Sequence, residues 1–232
     1  MKLRAWIIIF SFLSILGFAV WFFILHSAVA SEEATSNYDK AQLYLIQGNF
    51  YFDKRLYSKA IEEYKKALQL KPSLSIYSRI GIAYYRIGAY KDAETSFKKS
   101  IGINPTAVTP YSYLGSIYSK EGRHDEAINM YEKALQRKAD SVTLLNNLAN
   151  AYMNKGLYDK AIAAVEKALA IKPSLASANI TYGQIYEKKG DYLKALEKFE
   201  KVKNDPRFGR YAQKMISKIT EMMKNPKNNI KD

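Results

Sequence analysis

Residues 145–173 read LNNLANAYMNKGLYDKAIAAVEKALAIKP, two runs of helical period separated by a glycine and closed by a proline. Leu145, Leu148, Ala149 and Tyr152 recur at three and four residues, the spacing of a single helix face. Gly156 supplies the turn, because glycine enters the left-handed backbone region without steric penalty. Pro173 stops the second run, since proline lacks the N–H and clashes with the preceding turn. The stretch therefore predicts a helix, a tight turn and a second helix. Its first helix carries Asn146, Asn147, Asn150 and Asn154, although asparagine disfavours helix interiors by bonding nearby backbone in other shapes.

The same frame recurs upstream and downstream. Residues 44–72 (YLIQGNFYFDKRLYSKAIEEYKKALQLKP), 77–105 (YSRIGIAYYRIGAYKDAETSFKKSIGINP), 111–139 (YSYLGSIYSKEGRHDEAINMYEKALQRKA) and 179–206 (NITYGQIYEKKGDYLKALEKFEKVKNDP) align with it. A period of 33 or 34 residues gives five units, 41–73, 74–107, 108–141, 142–175 and 176–206. Gly48, Gly81, Gly115 and Gly183, with Ala149 in the fourth unit, mark a close approach of the first helix to its partner. Tyr51, Tyr84, Tyr118, Tyr152 and Tyr186 follow three residues later and supply bulk on the same face. Ala60, Ala93, Ala127, Ala161 and Ala195 are the small positions of the second helix. Gly88, Gly122, Gly156 and Gly190 occupy the turn, where the first unit has Arg55. Pro72, Pro105, Pro173 and Pro206 end the second helix, and the third unit has Ala139-Asp140 there.

These residues resemble the tetratricopeptide repeat (TPR) family, whose pattern is an aromatic, a Leu-Gly pair, a Tyr, then Ala, an aromatic, Ala and Pro. The departures are Gln47 before the first glycine, Leu145 and Asn179 for the leading aromatic, and Val165 for the aromatic of helix two. The resemblance implies an all-α, right-handed superhelical solenoid of five helix-turn-helix units. A single unit cannot cover its own apolar face, so units stack and the outer end needs a polar lid. Residues 207–224 supply a capping helix, with Phe208, Tyr211, Met215, Ile219 and Met222 as its apolar stripe. Residues 225–232 form a frayed tail.

Ahead of the repeats, Trp6–Leu25 is twenty residues without a charge, long enough for one transmembrane helix. Lys2 and Arg4 precede it and Glu32, Glu33 and Asp39 follow it, which places the N-terminus in the cytoplasm and the repeats outside. Ala28-Val29-Ala30 also fits a cleavage site before Ser31, which would release a secreted soluble form. An apolar core of twenty residues exceeds the usual ~7–15 of a cleaved signal and favours a retained anchor over residues 1–30. Residues 31–40 then read as a polar tether. The expectation is a single-pass inner-membrane protein with a periplasmic or other extracytoplasmic repeat domain.

The chain has 232 residues, no cysteine and a formal charge of +14. Without cysteine there are no disulfides, thiolate metal sites or cysteine nucleophiles. The excess charge is spread out, at +2 in residues 1–30, −2 in 31–40, +9 in 41–206 and +5 in 207–232. No basic stripe with interleaved aromatics appears, so nucleic acid is not an expected partner. The two histidines, His26 and His124, form no pair, and no phosphate loop or nucleophile motif is present. The reading is a non-enzyme without catalytic residues, cofactor, metal or small-molecule substrate. Nothing in the sequence fixes the oligomeric state.

The resemblance further implies that the free face of each first helix lines a concave groove. By i, i+4, i+8 spacing and their lateral neighbours, that face holds Asn49, Arg79, Arg86, Ser116, Lys120, Asn146, Asn147, Asn150, Asn154, Gln184 and Lys188. A carboxamide both donates and accepts, so a ladder of asparagines suits the backbone of a bound peptide, while the cations attract acidic partners. The family's two-carboxylate clamp is not reproduced, since Leu45, Asn49, Arg79, Thr109 and Tyr113 stand near its places. The expected function is a membrane-anchored scaffold holding a peptide or protein, with a role in envelope secretion or assembly. The alternative is a structural envelope component that binds cell-wall polymer or anionic lipid through its basic surface.

Overall fold

The computed structural model describes residues 35–224, and among them every regular element is a helix. The membrane-anchor expectation, residues 31–34 of the tether and the tail 225–232 lie outside the described residues. No helix among the described residues is long and apolar enough to cross a membrane. The elements are α1 (35–53), α2 (Tyr57–Leu70), α3 (Leu74–Arg86), α4 (Tyr90–Ile103), α5 (Val108–Lys120), α6 (His124–Leu135), α7 (Val142–Asn154), α8 (Tyr158–Ile171), α9 (Ala176–Lys189), α10 (Tyr192–Glu200) and α11 (Gly209–Lys224).

The chain divides at Gly88 into two compact units. In the N-terminal unit α1 packs on α2 through Tyr44, Leu45 and Tyr51 against Ala60 and Tyr64, and α2 packs on α3 through Ala67 and Ile76. In the C-terminal unit every helix from α4 to α11 packs on the next one in the chain. Residues 35–40, read as tether, already belong to α1. Tyr38 is held there by the Lys71 ammonium, 4.0 Å from its ring centre, and by a hydrogen bond that Gln42 donates to its hydroxyl.

Three of the helix pairs are fixed by bare backbone meeting a ring. A Cβ built on Gly48 would lie 2.5 Å from the Tyr64 ring, one on Gly115 would lie 2.6 Å from Tyr131, and one on Gly183 would lie 2.7 Å from Phe199. All three rings are buried. The fourth unit solves the same packing with the two sizes exchanged: Ala149 adds a methyl, Val165 removes the ring, and both are completely buried. The departures at 149 and 165 are therefore one compensated change.

The turn column behaves as the backbone requires. Gly88, Gly122, Gly156 and Gly190 have φ between 75° and 81°, and Arg55 takes the same left-handed conformation at φ 60° despite its side chain. The cap differs from its expected stripe. Ala212, Met215 and Ile219 of α11 are buried against α10, whereas Tyr211 stays 38% exposed. Gly209 sits against the Lys203 carbonyl, too close for a side chain.

Two stability measurements follow from these contacts. Arg55→Gly relieves the strained backbone and should stabilise the protein by about 1 kcal/mol, seen as a higher thermal midpoint than wild type. Gly115→Ala should cost about 1–3 kcal/mol by overpacking against Tyr131. Combining it with Tyr131→Val should restore more than half of that loss, as a favourable coupling in a double-mutant cycle; additive effects would show that the ring and the glycine do not meet.

Candidate peptide-binding face

In the C-terminal unit the first helices α5, α7 and α9 touch their next-but-one neighbours and so form a continuous inner row. At their last turns Lys120, Asn154 and Lys188 are exposed, and none of the three is hydrogen-bonded or ion-paired through its side chain among the described residues. These lysines lie where helix carbonyls are unsatisfied, a site that favours a cation by ~0.3–1 kcal/mol.

One turn earlier the side chains are occupied by the fold. Ser116 is within 3.1 Å of the Tyr131 hydroxyl. Asn150 donates to the Asn146 carbonyl at 3.0 Å and to the Thr181 hydroxyl of α9 at 3.3 Å. Gln184 donates to the Tyr211 hydroxyl at 2.8 Å. Asn147 is half-buried, and Asn146 is buried with its Oδ1 lacking any donor. Of the expected column Asn146, Asn150 and Asn154, with Asn147 beside it, only Asn154 is fully exposed. Asn146 faces the interior because position 146 turns toward the neighbouring first helices, and Asn150 is spent on joining α7 to α9.

In the N-terminal unit the same position is Asn49. Its Oδ1 accepts from the Tyr64 hydroxyl at 2.9 Å and from Arg79 Nη1 at 2.8 Å. Burial pushes the Tyr64 phenol above its ordinary value, and the Arg79 charge opposes the shift. Arg86 is exposed in the last turn of α3.

One rule connects these bonds. A tyrosine ring buried against the glycine still needs a partner for its hydroxyl, and the residue after the small position provides it, as in Asn49 with Tyr64 and Ser116 with Tyr131. Where the ring residue is Val165 or Phe199 there is no hydroxyl, and Asn150 and Gln184 reach to Thr181 and Tyr211 instead. The sequence reading missed these partners. The available signal was a polar residue fifteen positions ahead of a tyrosine in the first and third units.

The reading also missed a cavity of about 410 Å³ on the other side of α7. Its floor is Leu145, Leu148 and Tyr152, its walls are α6 and α8, and Lys160 and Lys167 stand at its edge. The space exists because Leu145 replaces an aromatic and α8 presents the small pair Ala163-Ala164. Tyr152 donates to Glu132 at 2.6 Å, and burial followed by this bond pushes its phenol up to about 12. Among the described residues no group of His, Cys, Asp and Glu could hold a metal.

Comparison with known proteins agrees with the architecture. No curated protein matches the chain. Its fold is similar to MamA (residues 41 to the end) from Desulfovibrio magneticus RS-1, at 24% identity, TM-score 0.67, and coverage of 71% of this chain and 93% of that one. It is also similar to a tetratricopeptide repeat protein from Parabacteroides merdae, at 18% identity, TM-score 0.72, and coverage of 80% and 74%. YrrB, a TPR protein with an unusual peptide-binding site, superposes with TM-score 0.64 at 22% identity, covering 79% of this chain and 97% of its own. The profile of the cilia and flagella-associated protein 70 C-terminal domain matches residues 24–215. Matched by that profile over most of its length, the chain belongs to that tetratricopeptide-repeat family.

Proposed function

We propose that this protein is a membrane-anchored, extracytoplasmic scaffold that holds an acidic peptide segment along α5, α7 and α9. The observation that carries the reading is the exposed row of Lys120, Asn154 and Lys188, repeated at one position of three successive first helices with no side-chain hydrogen bond or ion pair among the described residues. Two ammonium groups flanking a carboxamide supply charge attraction for carboxylates and a donor–acceptor pair for peptide backbone. The peptide-binding site of the similarly folded YrrB supports this use of the architecture. The charge-free stretch Trp6–Leu25, with its basic leading flank, supports the anchor and its orientation. The +14 charge and the lysines of α11 favour a second reading, a surface component that attracts anionic polymer or lipid.

The two readings separate in one experiment on the full chain in detergent, using a panel of acidic and neutral peptides beside anionic vesicles. Lys120→Glu combined with Lys188→Glu should weaken acidic-peptide binding by at least about tenfold and leave thermal stability near wild type. Peptide affinity that survives this double substitution places binding elsewhere. Loss of vesicle binding alone supports the surface reading.

Asn146 and Asn150 provide the matching control. Asn146→Leu removes a buried oxygen without a donor and should raise stability by about 1 kcal/mol, whereas Asn150→Ala deletes the bond to Thr181 and should lower it by a similar amount. Both should bind peptide as wild type does. A loss of affinity in either variant with the fold intact would return the amide ladder to the binding site.

A further inference from the structure

The outer side of α1 is apolar and uncovered: Leu43, Ile46 and Phe50 are 54%, 62% and 58% exposed. Their spacing of three and four residues aligns them in one stripe. In the later units the positions equivalent to Leu43 are closed, as at Ile76 and Leu144, and so are those equivalent to Phe50, as at Ile117 and Ile185. These are the positions through which a first helix meets the unit before it. Leu43 and Phe50 therefore belong to a stacking surface of the repeat that no described element covers.

We infer that this surface is covered by a second copy of the chain, with α1 packed antiparallel on the partner's α1 about a two-fold axis. The residues around α1 are self-complementary in that arrangement. With the axis between Ile46 and Gln47, Leu43 comes opposite the partner's Phe50 and Ile46 comes opposite the partner's Gln47. At the two ends of the same face Asp39 comes opposite the partner's Lys54, and both residues are exposed.

Other occupants fit less well. A head-to-tail stack would place this stripe on the outer side of α11, where the exposed Arg210, Lys214 and Lys218 outnumber the exposed apolar residues Tyr211 and Met223. A bilayer would receive Asp39 and Asp53, which lie at either end of the stripe and disfavour entry into the apolar phase. The pairing does not rest on the peptide-binding reading, because α1 carries none of the C-terminal row.

The absence of cysteine makes the test direct. Full chain in detergent micelles is followed by sedimentation and by disulfide trapping. Wild type should sediment as a dimer, Ile46→Cys should trap that dimer on mild oxidation, and mixed Leu43→Cys and Phe50→Cys chains should form a heterodimer in preference to either homodimer. Leu43→Glu with Phe50→Glu should halve the mass and keep the helical spectrum and melting temperature. Lys54→Asp should weaken the dimer, and Asp39→Lys added to it should restore it, so the charge pair tests the register independently of the apolar contact. A monomeric wild type overturns the inference. So does a dimer that persists in Leu43→Glu with Phe50→Glu, which assigns pairing to another segment, or Ile46→Cys labelled by a photoreactive lipid instead of trapped.

Discussion

The helix pairs of this fold depend on the volume that two facing positions share, and in three of them a ring lies against backbone that has no side chain. Two helices joined by a short turn must approach closely enough for one to seat an aromatic ring on the other, and a Cβ at Gly48, Gly115 or Gly183 would stand within 2.5–2.7 Å of ring carbon. The constraint is on the sum of two volumes and not on either residue alone. Ala149 with Val165 shows this, because the methyl gained on α7 is matched by the ring lost on α8 and both residues stay completely buried. A pattern that scores residues one at a time sees two imperfections in that unit. Packing sees one solution.

Burying a tyrosine in such a seat brings a hydroxyl into the interior, and an unbonded hydroxyl there costs on the order of 1–3 kcal/mol. Asn49 and Ser116 answer this for Tyr64 and Tyr131. The polar column of the first helix is therefore drawn partly inward by the aromatic column of the second. This coupling is why residues that look like a ligand-binding ladder divide into two kinds. One kind supports the core, and the other, one turn later, is open to solvent.

The helices, their order and the turn positions were legible because each is signalled locally: Gly156 and Gly190 by their freedom at positive φ, the pairs by their apolar period, and Arg55 by standing in a glycine column. The face presented by an amide was not legible. Asn146 and Asn154 differ by eight residues and share a helical stripe, yet one is buried and the other exposed, a difference that helical period alone does not carry. The roll of α11 was missed for a related reason. Hydrophobicity favours Tyr211 inside, but Ala212 takes the interior place, next to a backbone approach of Gly209 to the Lys203 carbonyl that the apolar period does not signal. The cavity beside Tyr152 required several small residues from three helices, and no single stretch of sequence contains them.

The three exposed residues of the row do not carry equal weight. A lysine in the last turn of a helix stabilises it through the carbonyl dipole, so Lys120 and Lys188 have a structural reason to be there whether or not a ligand binds. Asn154 has none: its neutral amide gains nothing from the dipole, it costs helix propensity relative to lysine, and its side chain bonds nothing among the described residues. The neighbouring Lys155 already makes the ion pair to Asp125 that ties α7 to α6, so the turn does not need Asn154 for packing. Asn154 thus costs its helix propensity with no side-chain bond among the described residues to offset it, and under the proposed peptide-binding reading it is the member of the row that a ligand accounts for with more force than the two cations beside it.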